Sequence, residues 1–311
     1  MALGLAQTLS KLIPQLLHKG SSMTLTERRT RYRNVLAGSE CIHPASVFDP
    51  LSARMAEAAG FEIGMMAGST ASGTVLAAPD MVVLTLTEFA EQIHRITRAS
   101  SLSLMVDADH GYGNALNVMR TVEELESAGV SALTIEDTLL PPRFGHKQGE
   151  ELISVPEFLG KLNAAVAARQ EPSLVIIGRI AALRSEGLQG AIVRAKACME
   201  AGVDGIFLTG ARTREEIEAI HKEISLPLLL GGTPPSIGDR AFLAAHGVRI
   251  ALQGHVPFAV AIKALYDTYK HLKEGGEPAA LKDQAASEEL MHLALNQPAY
   301  RRWQRDYLGQ P

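Results

Sequence analysis

The stretch ESAGVSALTIED, Glu126 to Asp137, reads as a helix end, a glycine, and then at once an apolar run that finishes on two acids. Gly129 stands where a helix closes in the left-handed conformation, which glycine adopts at little steric cost. The same junction recurs in EAAGFEIGMMAG, EAGVDGIFLTG and AAHGVRIALQG, with Gly60, Gly202 and Gly247 at the equivalent place. All four read as α-to-β turns. Further short apolar runs fill the gaps: ECIHPASVFD, LSLMVDADH, SLVIIGRI and LPLLLGG. Longer amphipathic stretches such as LTEFAEQIHRITRA and EFLGKLNAAVAAR alternate with them. The count is eight strands.

Strands that are apolar on both faces and alternate with helices imply a parallel sheet, and right-handed crossovers close eight of them readily into a barrel. A doubly wound open sheet is the alternative. Polar residues decide between them: Asp49, Ser69, Asp107, Glu136, Arg179 and His255 stand at the C-terminal ends of different runs. In a barrel those ends converge on one mouth, whereas an open sheet gathers ligands at a single switch point. The expected fold is therefore α/β, a (β/α)₈ TIM-type barrel, and 311 residues fit one such domain.

With 46% hydrophobic and 21% charged residues the chain should bury a sizeable core. A net charge of -4 offers no basic field for nucleic acid, and no run is long and apolar enough for a membrane span. The expected partner is a small molecule. Cys41 and Cys198 form neither a disulfide framework nor a zinc-spaced cluster, which points to a reducing, cytoplasmic setting. Residues 1–22 carry Lys11, His18 and Lys19 and no acid, yet lack the arginines of a transit peptide. They read as an N-terminal extension, either a peripheral helix or an over-extended start before Met23, ahead of a catalytic domain over residues 23–311.

In VDADHGYGN, Asp107 and Asp109 are two apart at a strand end, so both are expected to face the mouth. Their mutual repulsion would be relieved by a hard divalent cation. Glu136 or Asp137, closing the next strand, could supply a third carboxylate. An all-oxygen set suits Mg²⁺ or Mn²⁺. A calcium loop is disfavoured, because its twelfth position, counted from Asp107, is Val118. Asp109 could instead cap the helix that begins near Asn114. Ser69, in AGSTASG, is either a turn serine or part of a backbone cradle for a carboxylate. Arg179 needs an anionic partner, a substrate or Glu136. His255 in QGHVPF fits a structural hydrogen bond or catalysis.

The blocks ASVFDPLSARMAEAAGFE, GSTASGTVLAAPD, DADHGYGNALNVMRTVEELESAG, ALTIEDTLLPPRFGHK and GHVPFAVAIKALYD resemble the isocitrate lyase and phosphoenolpyruvate mutase superfamily. Within it they are most similar to the bacterial oxaloacetate decarboxylases. The resemblance implies a barrel whose C-terminal helix is swapped between subunits of a homotetramer, a dimer of dimers. It implies Mg²⁺ on Asp107, with Asp80, Asp109 and Glu136 acting through metal-bound water, and a 2-oxo acid substrate held by Ser69, Arg179 and His255. The implied activity is decarboxylation of oxaloacetate to pyruvate and CO₂ through a metal-stabilised enolate. Asp107, Arg179 and His255 are the implied catalytic residues.

Three departures bear on reaction type. Phe144, in PPRFGHKQG, replaces the proton-transferring cysteine of the superfamily's C–C lyases. Arg179 is followed by Ile180-Ala181-Ala182, and the loop after the seventh run is GGTPPS, where relatives carry more hydrogen-bonding groups. A C–C lyase or hydrolase acting on another 2-oxo or 2-hydroxy acid, and a non-catalytic metabolite-binding barrel, remain the alternatives.

Overall fold

The computed structural model describes residues 23–145 and 149–310, so the reading of residues 1–22 as an extension lies outside the described residues. Eight parallel strands follow one another around the sheet in sequence order: β1 (Ala45–Ser46), β2 (Ile63–Met66), β3 (Ser103–Asp107), β4 (Ala132–Glu136), β5 (Val175–Ile180), β6 (Gly205–Leu208), β7 (Leu228–Leu230) and β8 (Val248–Ala251). That order excludes the doubly wound sheet, whose strand sequence reverses at a switch point. The first apolar run gives only a two-residue strand. Pro44 has no N–H to donate and interrupts the run. Ile42 nevertheless bridges Ile250 in parallel, its N–H on the Arg249 carbonyl at 2.9 Å and its carbonyl accepting from Ala251 N at 2.9 Å. This bridge joins the first and last strands.

The helices between strands are set by local signals. Thr85 caps α4 (Leu86–Ala99) in a reciprocal box with Glu88, and the helix buries Phe89, Ile93 and Ile96 on one side. The cap contributes about 1 kcal/mol, and the apolar stripe at helical spacing binds the helix to the sheet. Asn114 caps α5 (Ala115–Ser127) through Leu116 and Asn117, so Asp109 is not needed for that role. No helix among the described residues is long and apolar enough to cross a membrane.

Alternation along each strand separates two cores. Met65, Met105, Ala132, Val175, Ile177, Phe207, Leu229 and Ile250 fill the barrel interior, while Leu104, Val106, Leu133, Ile176 and Ile206 pack outward against the helices. At the strands' N-terminal face, α1 (Leu25–Ala37) closes the barrel. Its Tyr32 is wholly buried with the hydroxyl 3.1 Å from Met105 Sδ, and Arg29 and Arg33 donate to the carbonyls of Val130, Ser173 and Leu174. With that end closed, the open end is the mouth at the strands' C-termini.

The glycines that announced the fold have the backbone expected of them. Gly60, Gly129, Gly202 and Gly247 have φ of 93, 95, 73 and 76°. At Gly129 a Cβ would also stand 3.1 Å from Leu25 Cδ2 and 3.2 Å from Thr97 Oγ1. Gly129→Ala should therefore lower stability by about 1–3 kcal/mol through left-handed strain, read as a lower urea midpoint at constant slope. An unchanged midpoint would contradict this account of the junction.

Candidate active site

The inward set of each strand continues to its C-terminal end and changes there from apolar to charged. Asp107 follows Met105 on the inner face of β3, Thr134 and Glu136 follow Ala132 on β4, and Arg179 follows Ile177 on β5. Register makes them neighbours: Asp107 pairs with Thr134, and Glu136 with Arg179. Asp107 Oδ1 accepts from Thr134 Oγ1 at 2.8 Å and from Asp109 N at 3.3 Å, and its Oδ2 is ion-paired with Arg179 Nη1. Arg179 Nε stands 2.9 Å from Glu136 Oε2. The direction of that N–H makes no hydrogen bond, and both atoms are buried without another partner. The guanidinium is thus held between two carboxylates, with Nε buried against Glu136.

Asp109 arrives by another route than the one its spacing suggested. β3 ends at Asp107, and Asp109 lies in the turn beyond it, with φ of 47°. Gly111 N closes that turn on the Ala108 carbonyl at 2.9 Å, and the Asp109 carbonyl accepts from Glu136 N at 2.9 Å. The Asp109 carboxylate lies against Gly68, the first residue of α3 (Gly68–Leu76), so closely that a Cβ there would be 2.9 Å from Oδ1. Ser69 is the next residue, in the first turn of α3 and not in an open turn. Asp80 stands at the solvent-exposed rim, in a segment bracketed by Ala77 and Val82 with φ of 52 and 57°. A β-branched residue in that region marks strain, which concentrates at functional sites.

The electrostatics fit a cation. Burial raises the Asp109 carboxyl well above the usual range, and the charges of Asp107 and Glu136 raise it further. Asp80 is raised by partial burial and then by Asp107. Glu136 is raised by burial, against the pull of Arg179. Four carboxylates face one guanidinium, an excess that a divalent cation would relieve. Among the described residues no three acids or histidines stand at common ligand spacing.

His255 is at the N-cap of α11 (Val256–Lys273), with Nδ1 2.8 Å from Ser46 Oγ on β1. Burial lowers its pKa, opposed by Asp107 and Asp80. Ser46 escaped the sequence reading, since no local spacing ties position 46 to position 255.

Two mouth candidates have other duties. Asp49 caps α2 (Pro50–Ala58) by accepting from Ser52 N at 2.6 Å. Asp137 follows Glu136 and so faces the opposite side; it is wholly buried, with Oδ1 accepting from Ala181 N at 2.9 Å. Phe144 is fully exposed on the loop after β4, and residues 146–148 of that loop lie outside the described residues.

Known proteins resemble this chain in sequence and in fold. An oxaloacetate decarboxylase of Bradyrhizobium sp. (strain BTAi1 / ATCC BAA-1182) is 49% identical over 286 residues, which cover 92% of this chain and 99% of that one. Among solved structures, a phosphonopyruvate hydrolase complex with oxalate and Mg²⁺ superposes with a TM-score of 0.78 at 29% identity, over 90% of this chain and 99% of that one. An oxaloacetate acetylhydrolase in complex with its product oxalate gives 0.78 at 28% identity, over 92% and 98%. The Phosphoenolpyruvate phosphomutase family profile matches residues 33–273, and the chain belongs to that family.

Proposed function

We propose that the protein is a Mg²⁺-dependent oxaloacetate decarboxylase, a carboxy-lyase that releases pyruvate and CO₂. The observation that carries the reading is the buried Arg179 guanidinium set between Asp107 and Glu136, a fixed cation for the substrate beside an acid cluster for the metal. It gains support from the 49% identity to a protein named for that activity. Mg²⁺, or Mn²⁺, bound by Asp107 and through water by Asp80, Asp109 and Glu136 would supply Lewis-acid stabilisation of the charge that develops on the substrate.

The chain's own groups do the rest. Ser69 and the backbone N–H groups opening α3 suit the C1 carboxylate, since a helix N-terminus offers donors and positive potential. Arg179, held between Asp107 and Glu136, presents a fixed guanidinium charge to the dianionic substrate. As the C3–C4 bond breaks, its electron pair moves toward the C2 oxygen and CO₂ departs, so no side chain need remove a proton. A proton must then reach C3. His255, fixed by the contact of its Nδ1 with Ser46 Oγ, is the candidate donor, with water the other source. The free, buried thiols of Cys41 and Cys198 suit a cytoplasmic setting, and residues 23–311 a single catalytic domain.

A second reading follows from the structural likeness to oxaloacetate acetylhydrolase: cleavage between C2 and C3, giving oxalate and acetate. Products separate the two. Incubation of the protein with Mg²⁺ and oxaloacetate, corrected for decarboxylation by free metal, should yield pyruvate with no oxalate. Oxalate as the main product would replace the proposal with the hydrolase reading, and tight oxalate binding without turnover would mean a non-catalytic binder.

Phe144 bears on the lyase alternative. A phenyl ring neither gives nor takes a proton, and Phe144 is fully exposed. Isocitrate and 2-methylisocitrate should not be cleaved, and Phe144→Ala should keep decarboxylation within roughly tenfold, since only water exclusion changes. Faster cleavage of isocitrate than of oxaloacetate would overturn this.

We further propose a homotetramer, a dimer of dimers, with C-terminal helices exchanged. No residue of α11 is buried although it carries Val260, Leu265, Tyr266 and Tyr269, and Trp303 and Tyr307 of the last helix (Gln297–Leu308) are 41% and 79% exposed. So large an aromatic and aliphatic surface marks an interface. Truncation after Glu289 should lower the mass seen by light scattering, and a monomeric full-length chain would contradict the proposal.

A further inference from the structure

Behind the mouth, on the outer side of β4 and β5, lies a second polar cluster that the reaction as described does not use. Asp137 is wholly buried and Arg194, on α8 (Gly187–Ala201), is 3% exposed. Asp137 grips β5 on both sides of Ile180: its N–H donates to the Arg179 carbonyl at 3.2 Å, and its Oδ1 accepts from Ala181 N at 2.9 Å. Its carbonyl accepts from Ile153 N at 2.9 Å, at the end of the loop that carries Phe144. Arg194 closes the circuit. Nη1 donates to the Ile153 carbonyl at 3.0 Å and lies 3.4 Å from Asp137 Oδ2, while Nε and Nη2 hold Glu186 at 2.9 and 2.7 Å.

The loop's two stems are themselves joined. Thr138 bridges Leu152 in antiparallel fashion, and Leu139 N donates to the Glu151 carbonyl at 2.7 Å. Arg184, in the short helix after β5, pairs with Glu150 at 2.9 Å. Asp137 and Arg194 thus connect the backbone on both sides of Ile180 to the loop root at Ile153.

We propose that Asp137 and Arg194 are positioning residues: together they lock the backbone that carries Arg179 to the root of the loop after β4, and so set where the substrate carboxylate is held. Neither touches substrate. The proposal rests on the reading of Arg179 as the substrate's anchor. A guanidinium displaced by about 1 Å can cost a hundredfold in rate, and a locked backbone prevents that displacement. A purely structural role would lower the melting temperature and leave the affinity of the folded fraction unchanged.

The test compares wild type, Arg194→Ala, Arg194→Lys and Glu186→Gln, each checked as folded by circular dichroism at the assay temperature. Four quantities are read: KM and kcat for oxaloacetate, Kd for oxalate with Mg²⁺ present, Mn²⁺ affinity, and hydrogen exchange across residues 138–153. Arg194→Ala should raise KM and the oxalate Kd about tenfold, with kcat changed less, Mn²⁺ affinity retained and exchange at 138–153 accelerated. Arg194→Lys should recover part of the loss, and Glu186→Gln, whose side chain is 40% exposed, should move the same quantities in the same direction by less. If Arg194→Ala fails to fold, Glu186→Gln decides. A folded variant with unchanged KM, oxalate Kd and exchange overturns the proposal. If wild type does not turn over oxaloacetate, the functional reading fails, yet oxalate affinity and exchange still judge the lock.

Discussion

The site depends on one electrostatic constraint: Asp107 must sit almost buried at the mouth beside three further carboxylates, with Arg179 as its ion-pair partner. Side-chain alternation along β3, β4 and β5 enforces this, because the residues that face inward at the strand ends are the charged ones. Breaking a buried pair by removing one partner costs about 3–5 kcal/mol, so losing Arg179 would leave Asp107 and Glu136 uncompensated. The barrel can carry such a cluster because its cohesion lies elsewhere, in the interior layers and in α1 at the opposite face. Burial first, and the neighbouring carboxylates after it, raise the carboxyls of Asp80, Asp109 and Glu136.

Much of the fold was legible because its signals are local. A glycine closing a helix just before an apolar run needs only neighbouring residues to be recognised, and Gly60, Gly129, Gly202 and Gly247 all hold the left-handed conformation that reading requires. Asp107, Glu136 and Arg179 were legible for the same reason, as charges that end apolar runs. Asp109 was placed at the mouth on the argument of strand alternation, yet the turn at Ala108–Gly111 brings it there. Asp49 looked like a mouth residue and caps a helix, since an N-cap and a strand-end acid look alike in sequence.

What stayed hidden is contact between distant segments. Ser46 meets His255 across 209 positions, and Arg194 reaches Asp137 from the helix after the next strand. Neither pair leaves a periodic trace. Asp80 stands on an irregular segment with no strand or helix to announce it, and only the family resemblance pointed to it. The departures Ile180-Ala181-Ala182 now have a partial physical account. Ala181 contributes through its backbone N–H, held by Asp137, and that bond asks nothing of the side chain.

The account turns on Asp107 as the direct anchor of a cation within this cluster. A titration with Mn²⁺ followed by electron paramagnetic resonance tests it without reference to turnover, comparing wild type with Asp107→Asn, which keeps an acceptor for Thr134. Wild type should bind one ion per chain, and the variant should lose affinity by about a hundredfold or more, beyond the loss typical of outer-shell changes. Asp107→Asn binding Mn²⁺ as tightly as wild type would contradict the account.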